Sequence, residues 1–433
     1  MSGESKSGGG RRSRWVAWLA VAAVALLIFS AIPWARSVQG FLDGRFRSNV
    51  YLGGAVGFGT VGLAFALRRL LRAPGARAWK RLGWLIAAAA GAAWVLRDQL
   101  QSPVEAFHFI EYAALAVLFF RAWRHHVRDP LVFPLALVGT ALVAWTDEFL
   151  QWLTPGRYWD FLDIRLNALA GAVGLLFVAG AVAPGAIQLP IARSSVRRLC
   201  AMVGALLLAL GFALSATPAR VDFVAARVPG LAFLLNNESR LAEYGWSHVD
   251  PGIGTFRSRL DLAELRRSDR ERGTEVGAAL AGGALPLLAE YRRTHVISAD
   301  PFRFEFYRHL LQRDHYAAAA GQYRTADPER FRHHCTVAMR ENQILEKYFP
   351  RALAAAGREW DDARRAQYAG DADGAAPYFS EVQNHLIVSA PESVWQGLVL
   401  ALLLFDGWCY ARWGRELRLD GGPGCPATAE GSI

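Results

Sequence analysis

Between two apolar runs of this 433-residue chain stands Asp147-Glu-Phe-Leu-Gln151, followed by Arg157, Asp160, Asp163, Asn167, Gly171 and Gly174. Carboxylates, an amide and a guanidinium are costly beside hydrocarbon, and where they occur there they mark function. Three kinds of chemistry suit the set. Arg157 can meet a phosphate, Glu148 or His108 can exchange a proton, and Asp163 with Glu148 can hold a cation. Asp147 and Gln151 are four apart and Glu148 and Gln151 three apart, so all three share one side of a helix end. Beyond Thr154-Pro-Gly-Arg157, the residues from Asp160 to Gly174 recur at three- and four-residue steps, which puts them on one face of the next helix. Glu105, His108 and either Glu111 or Tyr112 form a second stripe one segment earlier. Gly171 and Gly174 are small enough to let a neighbouring helix approach closely. Taken as a set, Glu148, Gln151, Arg157, Asp163, Asn167 and His108 read as a functional polar site. Asp147, Asp160 and Trp159, taken singly, read as interhelical glue or as groups solvated near headgroups.

The elements that must position these residues follow from composition. Hydrophobic residues make up 53% of the chain and charged residues only 20%, and the apolar ones are clumped into long runs. That is the pattern of an all-α polytopic membrane protein. Eight crossings are predicted: Trp15–Trp34, Val50–Leu67, Leu82–Leu96, Val104–Phe120, Leu131–Leu150, Leu166–Val182, Leu199–Leu214 and Val394–Cys409. Cytoplasmic loops retain Lys and Arg. Lys6, Arg11, Arg12 and Arg14 precede the first crossing, and Arg68 to Arg81, Arg121 to Arg128, Arg193 to Arg198 and Arg412 to Arg418 fall in every second connection. Both termini are therefore expected inside a bacterial cytoplasmic membrane, with Arg36, Arg45 and Arg47 of the first outer loop as the main exception. On this topology Glu105, His108, Glu148 and Asn167 lie at one outer level. The first apolar run is too long for a signal peptide, and no small-x-small cleavage site follows it.

Residues 1–215 read as a seven-span membrane domain and 216–391 as a mainly helical extracytoplasmic domain. Residues 392–413 read as a final span and 414–433 as a disordered cytoplasmic tail. In the large domain, Asp300-Pro301 and Asp327-Pro328 pair an N-cap with proline at the first helical position. A further helix is predicted over Asp261 to Leu280, and Pro251-Gly-Ile-Gly254 reads as a turn. No alternating run demands a sheet. Acids and bases roughly balance between Thr217 and Pro391, so the net charge of +10 is a topology signal and nucleic acid is not an expected partner. Glu305 and His309, with His315, His333 and His334 nearby, lack any metal-ligand spacing, and no metal or cofactor is expected. Only Cys335 is exported on this topology, with Cys200 and Cys425 inside and Cys409 in the last span, so no disulfide is expected. Asp406 is expected to reach the interface by snorkelling, and Gly53, Gly57 and Gly62 read as helix-packing positions.

Glu148-x-x-Gln151, Pro155-Gly156-Arg157, Asp163, Asn167 and Gly171, preceded by His108 and Tyr112, resemble the VanZ-like membrane proteins, a family named for a teicoplanin-resistance factor. The resemblance covers roughly Glu105 to Phe177. Family members often carry a lysine a few residues before the histidine, where Glu105 stands here. The resemblance implies an envelope-associated membrane protein, linked in some members to lower lipoglycopeptide sensitivity. The leading expectation is an outer-face pocket lined by His108, Tyr112, Glu148, Gln151, Arg157, Asp163 and Asn167 that recognises an anionic or lipid-linked envelope component, amid membrane lipids as partners. A hydrolase or transferase with Glu148 or Asp163 as base and His108 as acid or base is the alternative. A proton-coupled transporter is the third reading.

Overall fold

The computed structural model describes residues 5–34, 37, 40–41, 49–72, 75–100, 105–157, 159–181, 189–236 and 241–419. Residues 420–433 of the predicted tail, with Cys425, the basic loop residues Arg36, Arg45 and Arg47, and the span ends Val104 and Val182 lie outside them; residues 414–419, read as part of that disordered tail, instead continue the last helix, as the helix formers Arg415, Glu416, Leu417, Arg418 and Leu419 favour. The chain divides into two compact units, residues 1–212 with 397–433, and residues 213–396.

The first unit contains α1 (Ser5–Ala31), α2 (Asn49–Leu70), α3 (Gly75–Trp94, continued by a π-helical turn Val95–Gln99), α4 (Glu105–Trp123), α5 (Val132–Trp152), α6 (Phe161–Ala181), α7 (Arg193–Ser215) and the greater part of α15 (Glu392–Leu419). Among the described residues six helices are long and apolar enough to cross a bilayer: α1, α4, α5, α6, α7 and α15. The predicted second and third crossings fall in α2 and α3. The chain is a helical, polytopic membrane protein.

Glycines set the packing around α6. A Cβ on Gly174 would come 2.5 Å from the Ala113 carbonyl oxygen of α4, and one on Gly171 would come 3.0 Å from Thr140 of α5. On the opposite flank Gly180 faces Leu85 of α3 and Gly91 of α3 faces Val173. Only positions without a side chain allow backbones this close. By contrast Gly53 and Gly57 have open space where a Cβ would stand, and Gly62 makes only ordinary contact with Phe177; the packing role read for the first two does not hold. Asp406 turns to α7, where it pairs with the Cys200 thiol and its Oδ2 lies 3.1 Å from where a Gly204 Cβ would stand.

The second unit is mainly helical: α8 (Pro218–Ala225), α9 (Leu262–Ala278), α10 (Leu288–Thr294), α11 (Pro301–Ala320), α12 (Pro328–Tyr348), α13 (Pro350–Ala355) and α14 (Asp362–Asp371). Asp300 and Asp327 cap α11 and α12 by accepting from the Arg303 and Arg330 amides, and Asp261 forms a capping box with Glu264. Asp269 accepts from the Arg351 and Ala352 amides and so anchors α13. Phe256, Leu265, Phe302, Phe306, Leu310 and Phe349 build one core cluster, and Cys335, Met339, Trp360 and Tyr368 belong to a second. Burial pushes the Cys335 thiol up to about 11.

One element was not expected. Strands β1 (Trp246–Asp250) and β2 (Gly254–Ser258) pair antiparallel, with Val249 opposite Thr255, around the predicted Pro251–Gly254 turn. Their inward residues are His248, Asp250, Phe256 and Ser258. Three of the four are polar, so the apolar alternation that announces a strand is missing.

Those polar residues join a buried network. Glu305 accepts from Ser258 Oγ at 2.6 Å and from the Arg259 amide at 2.7 Å. The Arg259 guanidinium reaches across to Glu243 with bonds of 2.7 and 3.0 Å, and Glu243 also pairs with His385. Glu341 accepts from Tyr378 and Ser380 and faces His309 at 2.5 Å. The set weighed as a metal site is thus occupied: Glu305 and His309 have these partners, and the ring of His334 packs against Tyr316 and Tyr323.

The ion pairs give this unit a pH dependence. Burial opposes ionisation of Glu243, but His385 and Arg259 outweigh it and hold the carboxyl at about 2. The Lys347 ammonium, aided by Tyr348, holds Asp250 at about 2. Folded values below the unfolded ones of 4.5 and 3.8 mean stability that is present above that range and lost as pH falls toward 2. Acid titration of the full-length protein, followed by near-ultraviolet circular dichroism, should show tertiary structure weakening from about pH 4.5 downward. Lys347→Ala should shift that loss to higher pH; an unchanged profile would remove Asp250 from the account.

Candidate functional site

The three stripes meet as α4, α5 and α6 pack together. Tyr112 of α4 donates to Asp147 Oδ2 of α5 at 3.0 Å. Gln151 Nε2 donates to Glu148 Oε1 at 2.9 Å and to Asp147 Oδ2 at 3.4 Å. Tyr112, Asp147, Glu148, Gln151 and Asn167 are all buried, Glu148 to within 1%. A buried carboxylate needs donors around it, and here a phenol, an amide and a backbone N–H supply them.

The loop that closes the cluster follows from local chemistry. Thr154-Pro-Gly-Arg157 is a type II turn: the Arg157 amide returns to the Thr154 carbonyl at 3.1 Å, and Gly156 takes φ 79°, the conformation that position requires. The turn brings Arg157 back over α5, where its guanidinium donates to Gln151 Oε1. Further along, the Asp160 amide donates to Glu148 Oε2 at 3.2 Å, and Asp160 Oδ1 accepts from the Leu162 amide at 2.7 Å. Glu148 therefore ties the end of α5 to the start of α6.

Asp163 is half-buried on α6, within electrostatic range of Glu148, Asp147 and His108. His108 faces Glu111 on its own helix at 3.3 Å. It does not hydrogen-bond to Glu148, the partner that acid-base chemistry would use. Asn167 Oδ1 is buried and accepts no hydrogen bond among the described residues. Around the cluster, Trp145, Phe149 and Trp152 form a run of ring contacts joined by Trp159 and by Phe212 of α7, as aromatic residues do at a membrane interface.

All seven residues read from the sequence thus lie on α4, α5, α6 or the connecting loop. Asp147, read singly as interhelical glue, accepts from Tyr112 of α4 and from Gln151 of its own helix and so links α4 to α5. Arg157 has an amide, and no carboxylate, as its partner among the described residues. Among those residues no group of three or more His, Cys, Asp or Glu side chains is arranged to hold a metal ion.

Fold and cluster define a class: a polytopic α-helical membrane protein with carboxylates and an amide buried between three helices, and an arginine at their edge. The VanZ/LLP1 family model matches residues 15–182, so the helical core that carries the cluster is VanZ-like. The match extends the Glu105–Phe177 resemblance back over α1, α2 and α3. No curated protein and no solved structure matches this chain.

Proposed function

We propose that this VanZ-like core recognises an anionic or lipid-linked component of the bacterial cell envelope at the outer face of the cytoplasmic membrane, and thereby alters susceptibility to teicoplanin-type antibiotics. The observation that carries the reading is Arg157, held in place by a neutral amide so that its charge stays available to an anion, above a network that fixes the amide. Arg157 meets the anionic group in this reading. Glu148, Gln151 and Asp163 hold the loop and shape the site, the free Asn167 Oδ1 accepts a ligand donor, and His108 with Tyr112 forms the other wall. The second unit, exported between α7 and α15, contacts wall or periplasmic components.

A charge-assisted contact is worth about 1.5–3 kcal/mol, so Arg157→Ala should weaken headgroup binding roughly ten- to hundredfold. Glu148→Gln should loosen the loop and weaken binding less. Cells carrying either variant should lose most of the difference in teicoplanin sensitivity and envelope lipid composition that the wild-type protein confers. If both variants behave as wild type, the cluster is interhelical glue and the reading fails.

A further inference from the structure

At the other end of α4, roughly 24 Å from His108 at 1.5 Å per residue, a second polar site opens beside α1. A groove of about 410 Å³ runs between the two helices, lined by Val16, Ala17, Ala20 and Leu118 and, toward the start of α1 and the end of α4, by Ser13, Arg121, Arg124 and His125. Its chemistry divides along its length into an apolar channel and a cationic rim. The framework beneath is fixed: Trp18 of α1 packs edge-on against Trp123 with centroids 5.3 Å apart, and its indole donates to His126 Nε2 at 3.0 Å. Arg198 in turn donates to the His126 carbonyl at 2.9 Å.

Among the described residues the rim has no counter-ion: neither Arg121 nor Arg124 meets a carboxylate, and Arg124 rests over the Phe120 ring at 5.7 Å. His126 reports the local field: burial, Arg14 and Arg198 all push its imidazole below the ordinary histidine range. Asp129, the nearest acid in sequence, is committed to the Leu131 and Ala192 amides. Such a concentration of positive potential beside an apolar channel suits one molecule that is charged at one end and hydrocarbon at the other.

We propose that this groove seats an anionic phospholipid, its phosphate between Arg121 and Arg124 and an acyl chain along Val16, Ala17, Ala20 and Leu118. The site is separate from the Arg157 cluster and does not depend on the function proposed for it. A lipid bound here braces α1 against α4 at the end where Trp18 already joins them.

The test is lipid retention by the full-length protein, measured by native mass spectrometry after transfer from nanodiscs holding equal amounts of phosphatidylglycerol and phosphatidylcholine. The wild type should retain phosphatidylglycerol selectively. Arg121→Gln/Arg124→Gln should reduce that retention roughly thirtyfold, at the usual strength of one basic residue per anionic headgroup contact. Ala20→Trp, which fills the channel and leaves the charges, should abolish it as well. In lipid-free detergent, where no bound lipid contributes, both variants should keep the wild-type melting temperature, since Arg121, Arg124 and Ala20 lie at the groove surface. Equal retention of the two lipids, or wild-type retention by the double variant, overturns the proposal. Displacement of the lipid by inorganic phosphate alone would assign the rim to a free anion and overturn it too.

Discussion

Replacing Arg259 with methionine should lower the melting temperature of the second unit by roughly 6 to 20 °C. The guanidinium lies between Glu305 and Glu243, whose side chains are 0% and 8% exposed, and methionine keeps most of the volume while removing the charge. Breaking a buried ion pair from one side costs about 3–5 kcal/mol because the remaining charge is uncompensated. In a domain of this size each kcal/mol moves the midpoint by about 2–4 °C. The sign of the pH dependence distinguishes this cause from simple loss of packing. Burial already raises Glu305, and without Arg259 it rises further. A carboxyl whose folded value lies above its unfolded one binds protons in the folded state, so stability falls as pH rises through that interval. The defect should thus be larger at pH 8 than at pH 5. Glu305→Gln in the same chain should recover part of it. A loss equal at both pH values, with no recovery, would point to packing alone.

Gly174→Leu should separate α4 from α6 and destabilise the first unit by about 1–3 kcal/mol, the usual cost of overpacking a filled interior. Even its Cβ would stand 2.5 Å from the Ala113 carbonyl oxygen, which is backbone and cannot rotate away. Ala113 follows Tyr112, so the same displacement draws the phenol from Asp147. The substitution should therefore weaken the site as well as the fold, and headgroup binding should fall along with thermal stability in detergent. Gly57→Ala is the control, because nothing lies within 4 Å of its new methyl group. In an exposed helix it should be neutral or stabilising by up to about 1 kcal/mol. Equal melting temperatures for Gly174→Leu and the wild type would show that α4 has room to move.

Much of this architecture was legible because membrane helices declare themselves by composition and capped helices by local chemistry. Asp300-Pro301 and Asp327-Pro328 each start a helix through contacts within four residues, and the structure shows both. The meeting of Tyr112 with Asp147 is different in kind. It depends on the α4–α6 approach through Gly174 and on the rotation of α5, neither of which a spacing rule supplies. His108 could be placed at the right level from topology, yet its turn toward Glu111 is a side-chain choice that only packing makes. The hairpin escaped notice because its inward face is built of His248, Asp250 and Ser258. Their partners Leu260, Tyr348 and Glu305 come from elsewhere in the chain.

The pairing of α7 with α15 has a thermodynamic side. Gly211 packs against Val399, and Gly204 against Asp406, so the helices that lead into and out of the second unit run side by side. Near the same chain ends Arg220 pairs with Glu392. When the second unit unfolds, its chain remains a closed loop as long as the helix pair holds, and a closed loop has fewer conformations to gain. For a loop of about 180 residues the forfeited entropy is worth about 5 kcal/mol. The helix pair therefore acts on this domain as a disulfide acts on a small secreted one, with lipid in place of sulfur holding the ends together.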